Sequence, residues 1–329
     1  MDLTIGIPTW NGANTIKATM ESVLRSISED IRECVEIVVS DNGSTDSTAD
    51  MIMPYLSCRS PRVTYSVNEA NVGFDRNVNK VMRLARGKFV WLLSDDDEIV
   101  PGAIDKVLAV ISKHPQVGAI FVNYRSAVSI RTDGDRLCRN GEEFFHLSHF
   151  KSGLVSSNVF NTERWRELNL SRYFGCGWIH FAYLVEGISN RPAYIIAQRY
   201  VIQGDKWKWA EGGKFLRTGL MLVRVFRNME RLNYSEERRR EADFVIKGGY
   251  PANIVRAKLM GVKVDTDLLK DFCELYHRYP TFWFIDLPLL LMPKTVYRSI
   301  GFLTHAIKGI GRRMQKVTRK TFNFDPHSH

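Results

Sequence analysis

The chain has 329 residues, is 44% hydrophobic and carries a formal net charge of +10, a size that suits one large α/β domain with additions or two domains sharing an interface, either with a substantial core. Its five cysteines (Cys34, Cys58, Cys138, Cys176, Cys273) are odd in number and lack the two-residue spacing of zinc or redox motifs, so they are expected to be reduced and structural. No apolar run reaches the roughly 18 residues of a membrane span, and the first residues read as a strand rather than a signal peptide, so a cytoplasmic protein is expected. The positive charge favours phosphates, anionic lipid or nucleic acid; no motif that reads nucleic acid is present, and none is expected as a partner.

In chain order, Leu3 to Thr9 is an apolar strand closed by Pro8, and Trp10-Asn11-Gly12 turns into a helix along Ile16, Met20, Val23, Leu24 and Ile27, with Asn14 or Thr15 as its cap. Val35 to Ser40 is a second strand; Asp41-Asn42-Gly43-Ser44-Thr45-Asp46 is a turn before a helix from Ser47 to about Leu56. Val63 to Val67 is the third strand, Asn68 to Gly73 a loop, and Asn77, Val81, Met82 and Leu84 lie along a helix. Lys88 to Leu93 is a short, wholly apolar run, as in a buried central strand, and it ends in Ser94-Asp95-Asp96-Asp97-Glu98. Adjacent carboxylates at a strand's carboxyl end repel one another and call for a cation. Oxygen ligands of this kind suit Mg²⁺ or Mn²⁺ bridging a diphosphate, the alternative being a solvated acidic turn. A helix from Gly102 to about His114 and a strand from Val117 to Tyr124 follow. The alternation argues for a parallel sheet with right-handed crossovers, whose ligands bind beyond the carboxyl ends of the strands.

Arg125 to Asn140 is polar and reads as an exposed excursion or hairpin, Glu142 to Phe150 as a short helix, Leu154 to Phe160 as a strand. The segment Phe174-Gly175-Cys176-Gly177-Trp178 precedes a helix from Ile179 to about Gly187, and Ala193 to Ile202 is another strand. Gln203 to Trp209 then combines Asp205, Lys206, Lys208, Trp207 and Trp209: lysines that can neutralise an anion and flat rings on which a sugar can stack. From Lys214 helices dominate, and Glu236 to Glu241 reads as a solvated helix face. Thr281 to Pro293 is an apolar patch with Trp283 and Phe284, too short and proline-broken to span a bilayer, and Lys294, Arg298, Lys308, Arg312, Arg313, Lys316, Arg319 and Lys320 follow it. Such a segment suits an anionic membrane surface or, alternatively, a helical lid.

Ile5-Gly6-Ile7-Pro8-Thr9-Trp10-Asn11, Asp41 to Asp46, Asn71-Val72-Gly73 with Asn77, and Leu93 to Gly102 occur in the order and spacing of family 2 glycosyltransferases, and the chain resembles those that build bacterial envelope polysaccharides. The resemblance implies a GT-A fold, a Rossmann-like and mostly parallel central sheet flanked by helices, here with a helical C-terminal extension. It also implies a nucleotide-sugar donor, a divalent metal (Mg²⁺ or Mn²⁺), inversion at the anomeric carbon, and a glycan or lipid-linked acceptor in O-antigen-like synthesis. By that likeness residues 1–125 form the nucleotide-sugar half and 126–212 the acceptor half; 213–329 is a helical region whose apolar and basic segment is expected to hold the enzyme peripherally at the inner face of the cytoplasmic membrane, or else to form a lid. Pro8, Thr9 and Asn11 match the loop that holds the nucleotide, Asp41 the carboxylate on the base, and Asn71 and Gly73 the loop beside it. Ser94 replaces the first aspartate of the Asp-x-Asp pair and can still bond a ribose hydroxyl. Asp95 takes the variable position and Asp96 is the expected direct metal ligand, while Asp95 and Asp97 bind the metal through water, contact the ribose or set the field. Cys176 and Gly177 stand where the family's Glu-Asp pair supplies the general base, so His180 and Asp205 become the candidate bases, with Lys206 at the diphosphate. A catalytically silent nucleotide-sugar or membrane scaffold is the alternative. A nucleotidyltransferase fits less well, because Thr9 to Ala13 has no basic phosphate loop.

Overall fold

Strands β1 (Leu3–Thr9) and β2 (Val35–Asp41) are buried along their whole length, as is the short β4 (Phe89–Leu92), so they lie inside a sheet covered on both faces. In the computed structural model, which describes residues 1–58, 60–124, 130–204, 214–247, 250–293 and 296, β3 (Arg62–Val67) completes a parallel run ordered β3-β2-β1-β4. Its register sets Thr9 opposite Asp41, Asp41 opposite Val67, and Gly6 opposite Leu92. Helices α1 (Ile16–Arg25), α2 (Thr48–Ile52), α3 (Phe74–Leu84) and α4 (Ala103–Lys113) connect the strands and supply apolar faces to the core, among them Ile16, Met20 and Val23 from α1 and Val107, Val110 and Ile111 from α4. Gly6 lets α3 approach closely: a Cβ there would lie 2.4 Å from Val81 Cγ1. The cap expected from Asn14 or Thr15 is replaced by backbone, with the Gly12 carbonyl accepting from Thr15 N and Ile16 N.

The sheet continues from β4 through β8 (Asn158–Asn161), β6 (Ala119–Tyr124) and β9 (Ala193–Ile202). β6 and β9 are parallel, but β8 runs antiparallel to both β4 and β6. The uniformly parallel sheet suggested by the strand-helix alternation is thus interrupted, because residue periodicity carries no information about strand direction. Two further strands pair antiparallel with β9: β5 (Glu98–Ile99), directly after the acidic run, and β7 (Arg136–Cys138), in the stretch expected as an excursion. Helices α5 (Gly141–Ser148), α6 (Thr162–Glu167) and α7 (Ile179–Gly187) belong to the same part of the chain.

The chain divides into two compact units, one of Met1–Trp207 with Val225–Arg240, the other of Lys208–Arg224 with Glu241–His329; α8 (Lys214–Arg231) and α9 (Glu236–Lys247) contribute to both. In the charge run on α9, Glu236, Glu237 and Arg240 are exposed as its composition suggests, but Arg238 is buried, 3.3 Å from Glu142. The second unit is helical. It includes α10 (Tyr250–Leu259) and α11 (Thr266–Tyr276), the latter capped by Asp265, which accepts from Leu268 N and holds Arg217 at 2.8 Å. It continues through a π-helical turn (Phe282–Asp286) into α12 (Leu287–Leu291). There Phe282 and Leu290 are buried while Trp283, Phe284, Ile285 and Leu291 are exposed, Phe284 to 83%. No helix among the described residues is long and apolar enough to cross a membrane.

Candidate active site

At the carboxyl ends of β1, β2, β3 and β4 four loops are stitched together by side chains. Pro8 sits opposite Ser40 in the ladder, and Thr9 turns its hydroxyl into the site to donate to Asp95 Oδ2. Asn11 is left-handed (φ 51°), a conformation asparagine tolerates better than most residues. Its N–H donates to Ser44 Oγ (2.8 Å) and its side-chain oxygen accepts from Thr45 N (2.9 Å), locking the first loop to the second. A Cβ on Gly12 would lie 2.4 Å from Thr9 Oγ1 and 2.6 Å from Asp95 Oδ2, so only glycine fits between them.

Asp41 is buried, and its Oδ1 accepts from Ser44 N (2.8 Å) and Ser44 Oγ (2.6 Å), closing the turn as aspartate does in many loops. Its Oδ2 accepts from the Tyr65 hydroxyl at 2.6 Å, and burial together with that bond pushes the Tyr65 hydroxyl's pKa well above its usual value. Tyr65 was not among the residues singled out in the sequence, because it comes from the next strand over. Asn71 accepts from Asn42 Nδ2 and Gly73 N, both at 2.9 Å, and Gly73 (φ 87°) opens the third loop without crowding. Asn77 lies beneath, accepting from Ser40 Oγ (2.7 Å) and donating to Ser40 O (2.9 Å).

After β4 the chain makes a turn over Ser94 to Asp97, with Asp97 N donating to Ser94 O (3.2 Å), and burial alternates along it: Asp95 and Asp97 are buried while Ser94, Asp96 and Glu98 are partly exposed. Ser94 Oγ donates to Asp96 Oδ1 (2.5 Å) on the outer side. On the inner side Asp97 accepts from Ser156 Oγ (2.5 Å) and Gly204 N (2.8 Å), while Ser94 N donates to Ser156 Oγ (2.8 Å). Burial pushes the Asp97 carboxyl up to about 6, with Ser156 and Gly204 opposing the shift and Asp96 and Asp95 adding to it. Asp96 is therefore the aspartate of the three that turns outward. Among the described residues no three His, Cys, Asp or Glu side chains converge on one point, so Asp96 offers a one- or two-oxygen foothold rather than a protein cage. That suits Mg²⁺, which keeps waters and substrate phosphates as ligands.

The segment Phe174 to Trp178 is held by a residue the sequence reading passed over. Asp75, in the first turn of α3, accepts from Gly177 N (2.8 Å) and Ile179 N (3.1 Å), and burial raises its pKa although these N–H groups oppose the rise. Gly175 and Gly177 are both left-handed, Cys176 is buried with its sulfur accepting from Trp178 N, and Phe174 lies under the Arg76 guanidinium at 4.7 Å.

His180 is 2% exposed, between the Trp178 and Phe74 rings. Its Nε2 lies 3.1 Å from the Gly153 carbonyl, which can only accept, so Nε2 bears the proton; Nδ1 is buried with no hydrogen-bond partner. Burial pulls its pKa down to about 4, and this weighs against the proton-accepting role expected of it. Asp205 and Lys206 lie outside the described residues. The chain just before them is described: a Cβ on Gly204 would lie 2.2 Å from Asp96 O, so the end of β9 packs against the acidic loop.

The family model described as glycosyl transferase family 2 matches residues 4–181. Abequosyltransferase RfbV of Salmonella typhimurium is 26% identical over 235 residues, 64% of this chain and 69% of that protein. The GalNAc(5)-diNAcBac-PP-undecaprenol beta-1,3-glucosyltransferase of Campylobacter jejuni is 28% identical over 177 residues, covering 49% of this chain and 55% of its own length. Among solved structures, S. aureus TarS 1-349 aligns with a TM-score of 0.59 and 14% identity over 84% of this chain and 82% of that one. Mannosyltransferase PcManGT from Pyrobaculum calidifontis, in complex with GDP-Man and Mn²⁺, aligns with a TM-score of 0.55 and 17% identity over 88% and 84%. At these identities the structural likeness speaks for the fold.

Proposed function

The chain belongs to glycosyl transferase family 2, and on that premise we propose that it moves a sugar, with inversion, from a nucleotide-sugar donor to a glycan or lipid-linked acceptor in O-antigen-like envelope polysaccharide synthesis. The observation that carries the reading is the pair formed by Asp41, fixed at the end of β2, and Asp96, the outward-turned aspartate beyond β4, with Thr9 bonded to Asp95 between them. A carboxylate held as Asp41 is suits a base N–H or a ribose hydroxyl, and a carboxylate turned outward suits a diphosphate's counter-ion. The names of the relatives support the donor and acceptor classes, and the Mn²⁺ complex of a mannosyltransferase supports the metal.

In this reading Pro8, Thr9, Asn11, Asn71 and Gly73 shape the nucleotide cleft, Ser94 and Asp95 face the ribose side, and Lys206 meets the diphosphate. Asp96 holds the divalent cation with Asp97 behind it, and the bound cation would supply positive charge against the departing nucleoside diphosphate. The acceptor's proton goes to Asp205 rather than His180, because the chain entering Asp205 packs against Asp96 whereas the His180 imidazole is buried and weakly basic. His180 then positions the Gly153 loop. The exposed Trp283, Phe284, Ile285 and Leu291 rest on the inner face of the cytoplasmic membrane, close to a lipid-linked acceptor.

Cys176 and Gly177 in place of the acidic pair favour one other reading, a silent nucleotide-sugar scaffold. A thermal-shift panel of nucleoside diphosphates with and without Mn²⁺, followed by donor hydrolysis, separates the two. A metal-dependent shift with release of nucleotide and free sugar supports the transferase. A shift without turnover supports the scaffold, and no shift with any nucleotide removes both.

A further inference from the structure

A cavity of about 610 Å³ opens in the first unit between β7 and α5. β7 pairs with the start of β9, Cys138 opposite Ala193, and Ala193 in turn lies opposite Ala119 at the start of β6. Two antiparallel steps, β6 to β8 and β8 to β4, make β6 parallel to β4, so the starts of β6 and β9 lie at the sheet end away from Asp41 and Asp96. The cavity is therefore separate from the donor cleft.

Its lining is cationic: Arg131, Arg136, Arg139 and Arg238 against Glu142 and Glu143, a surplus of two positive charges. The glutamates act as splints for the guanidinium planes. Glu143 accepts from Arg139 N and Nε (both 3.0 Å) and lies 3.8 Å from Arg136; Glu142 accepts from Ser235 and from Arg238 Nε (3.3 Å). Arg131 and Arg238 each direct an Nη1 at His146 Nδ1, at 3.0 and 3.1 Å. That nitrogen accepts from both, so the imidazole is neutral between two cations. Arg238 is buried and paired with Glu142, so its guanidinium is fixed beside that of Arg131 at the edge of the cavity. Helix α5 adds little field at its first turn, where Glu142 and Glu143 already oppose its dipole.

We propose that this cavity is a second anion site, which takes a phosphate or diphosphate group other than that of the donor. Guanidinium forks match phosphate oxygens in pairs, and a dianion balances the surplus of two charges. The group can come from a soluble phosphate ester or from a phospholipid headgroup.

The test is hydrogen-deuterium exchange of the full chain, titrated separately with inorganic pyrophosphate, phosphatidic-acid vesicles and phosphatidylcholine vesicles. Protection of residues 130–148 by pyrophosphate identifies a soluble ester, and protection by phosphatidic acid without pyrophosphate identifies a headgroup. Arg136 and Arg139 are exposed (60% and 87%), so the double variant Arg136→Ala/Arg139→Ala keeps the fold. It should move the protection midpoint roughly tenfold upward, while residues 41–44 and 94–97 respond to pyrophosphate as before. No protection of 130–148 by either anionic probe, equal protection by phosphatidylcholine, or an unchanged midpoint in the double variant overturns the proposal.

Discussion

Acid should loosen this fold through His180. The imidazole is buried with its protonated Nε2 on the Gly153 carbonyl, and burial holds its pKa at about 4, below the 6.5 of an exposed ring. Between those values the unfolded chain binds a proton that the folded chain does not, so lowering the pH draws the equilibrium toward unfolding. The stabilisation is complete above pH 6.5 and is lost progressively down to about 4. The two pKa values give a loss on the order of 1 kcal/mol at pH 5.5 and on the order of 2 kcal/mol at pH 4.5 relative to neutrality. Other groups titrate in this window with the opposite sign, Asp97 and Asp286 both being pushed up to about 6 by burial. The informative quantity is therefore a difference between wild type and His180→Gln, which keeps an N–H for Gly153 and does not titrate. Urea unfolding followed by tryptophan fluorescence, with Trp178 stacked on the ring, should give a wild-type-minus-variant stability that falls by these amounts from pH 7.5 to 5.5 and 4.5. Parallel pH curves for the two proteins would refute the buried, neutral imidazole.

Asp96→Ala should lower transfer by roughly 10² to 10³ with folding intact, as loss of a charge-stabilising group at the reacting centre does; unchanged turnover removes Asp96 from the site. Asp41→Ala should weaken donor binding by roughly 1.5–3 kcal/mol, the range for a hydrogen bond to a charged group, and calorimetry that finds equal affinity contradicts its place on the nucleotide. Gly12→Ala forces a Cβ between Thr9 and Asp95, and should cost about 1–3 kcal/mol of stability by overpacking, read from its urea midpoint. Replacing Trp283 and Phe284 by serine should abolish flotation with anionic liposomes. Wild-type flotation should weaken with salt, since each basic residue at such a surface contributes about 1 kcal/mol over a Debye length of about 8 Å; equal flotation with neutral lipid excludes the electrostatic part.

What could be read along the chain was whatever local pattern encodes. β1, β2, β4 and β9, and helix α7, fall where apolar runs and helical spacing put them, because burial on both faces of a strand or around a core helix leaves a continuous apolar stretch. The antiparallel turn of β8 and the two-residue β5 leave no such mark. The residues that complete the site lie far apart in sequence. Tyr65 reaches Asp41 across 24 positions, Ser156 reaches Asp97 across 59, and Asp75 reaches Gly177 across 102, so no window contains both partners. Arg238 shows the same blindness from the other side: a run of six charged residues looks solvated throughout until Glu142, 96 positions away, is brought against it.

The acidic run itself shows how local geometry separates chemically identical side chains once the fold is known. Three adjacent aspartates are equivalent by composition, yet the turn closed by Asp97 N on Ser94 O (3.2 Å) gives each a different surrounding. Within this turn Asp95 and Asp97 are buried, where Thr9, Ser156 and Gly204 satisfy them, and Asp96 is partly exposed beside Ser94. β5 resumes the sheet at Glu98 and holds that turn from the far side by pairing with Ile202. The turn between β4 and β5, more than the number of aspartates, therefore sets Asp96 apart from its two buried neighbours.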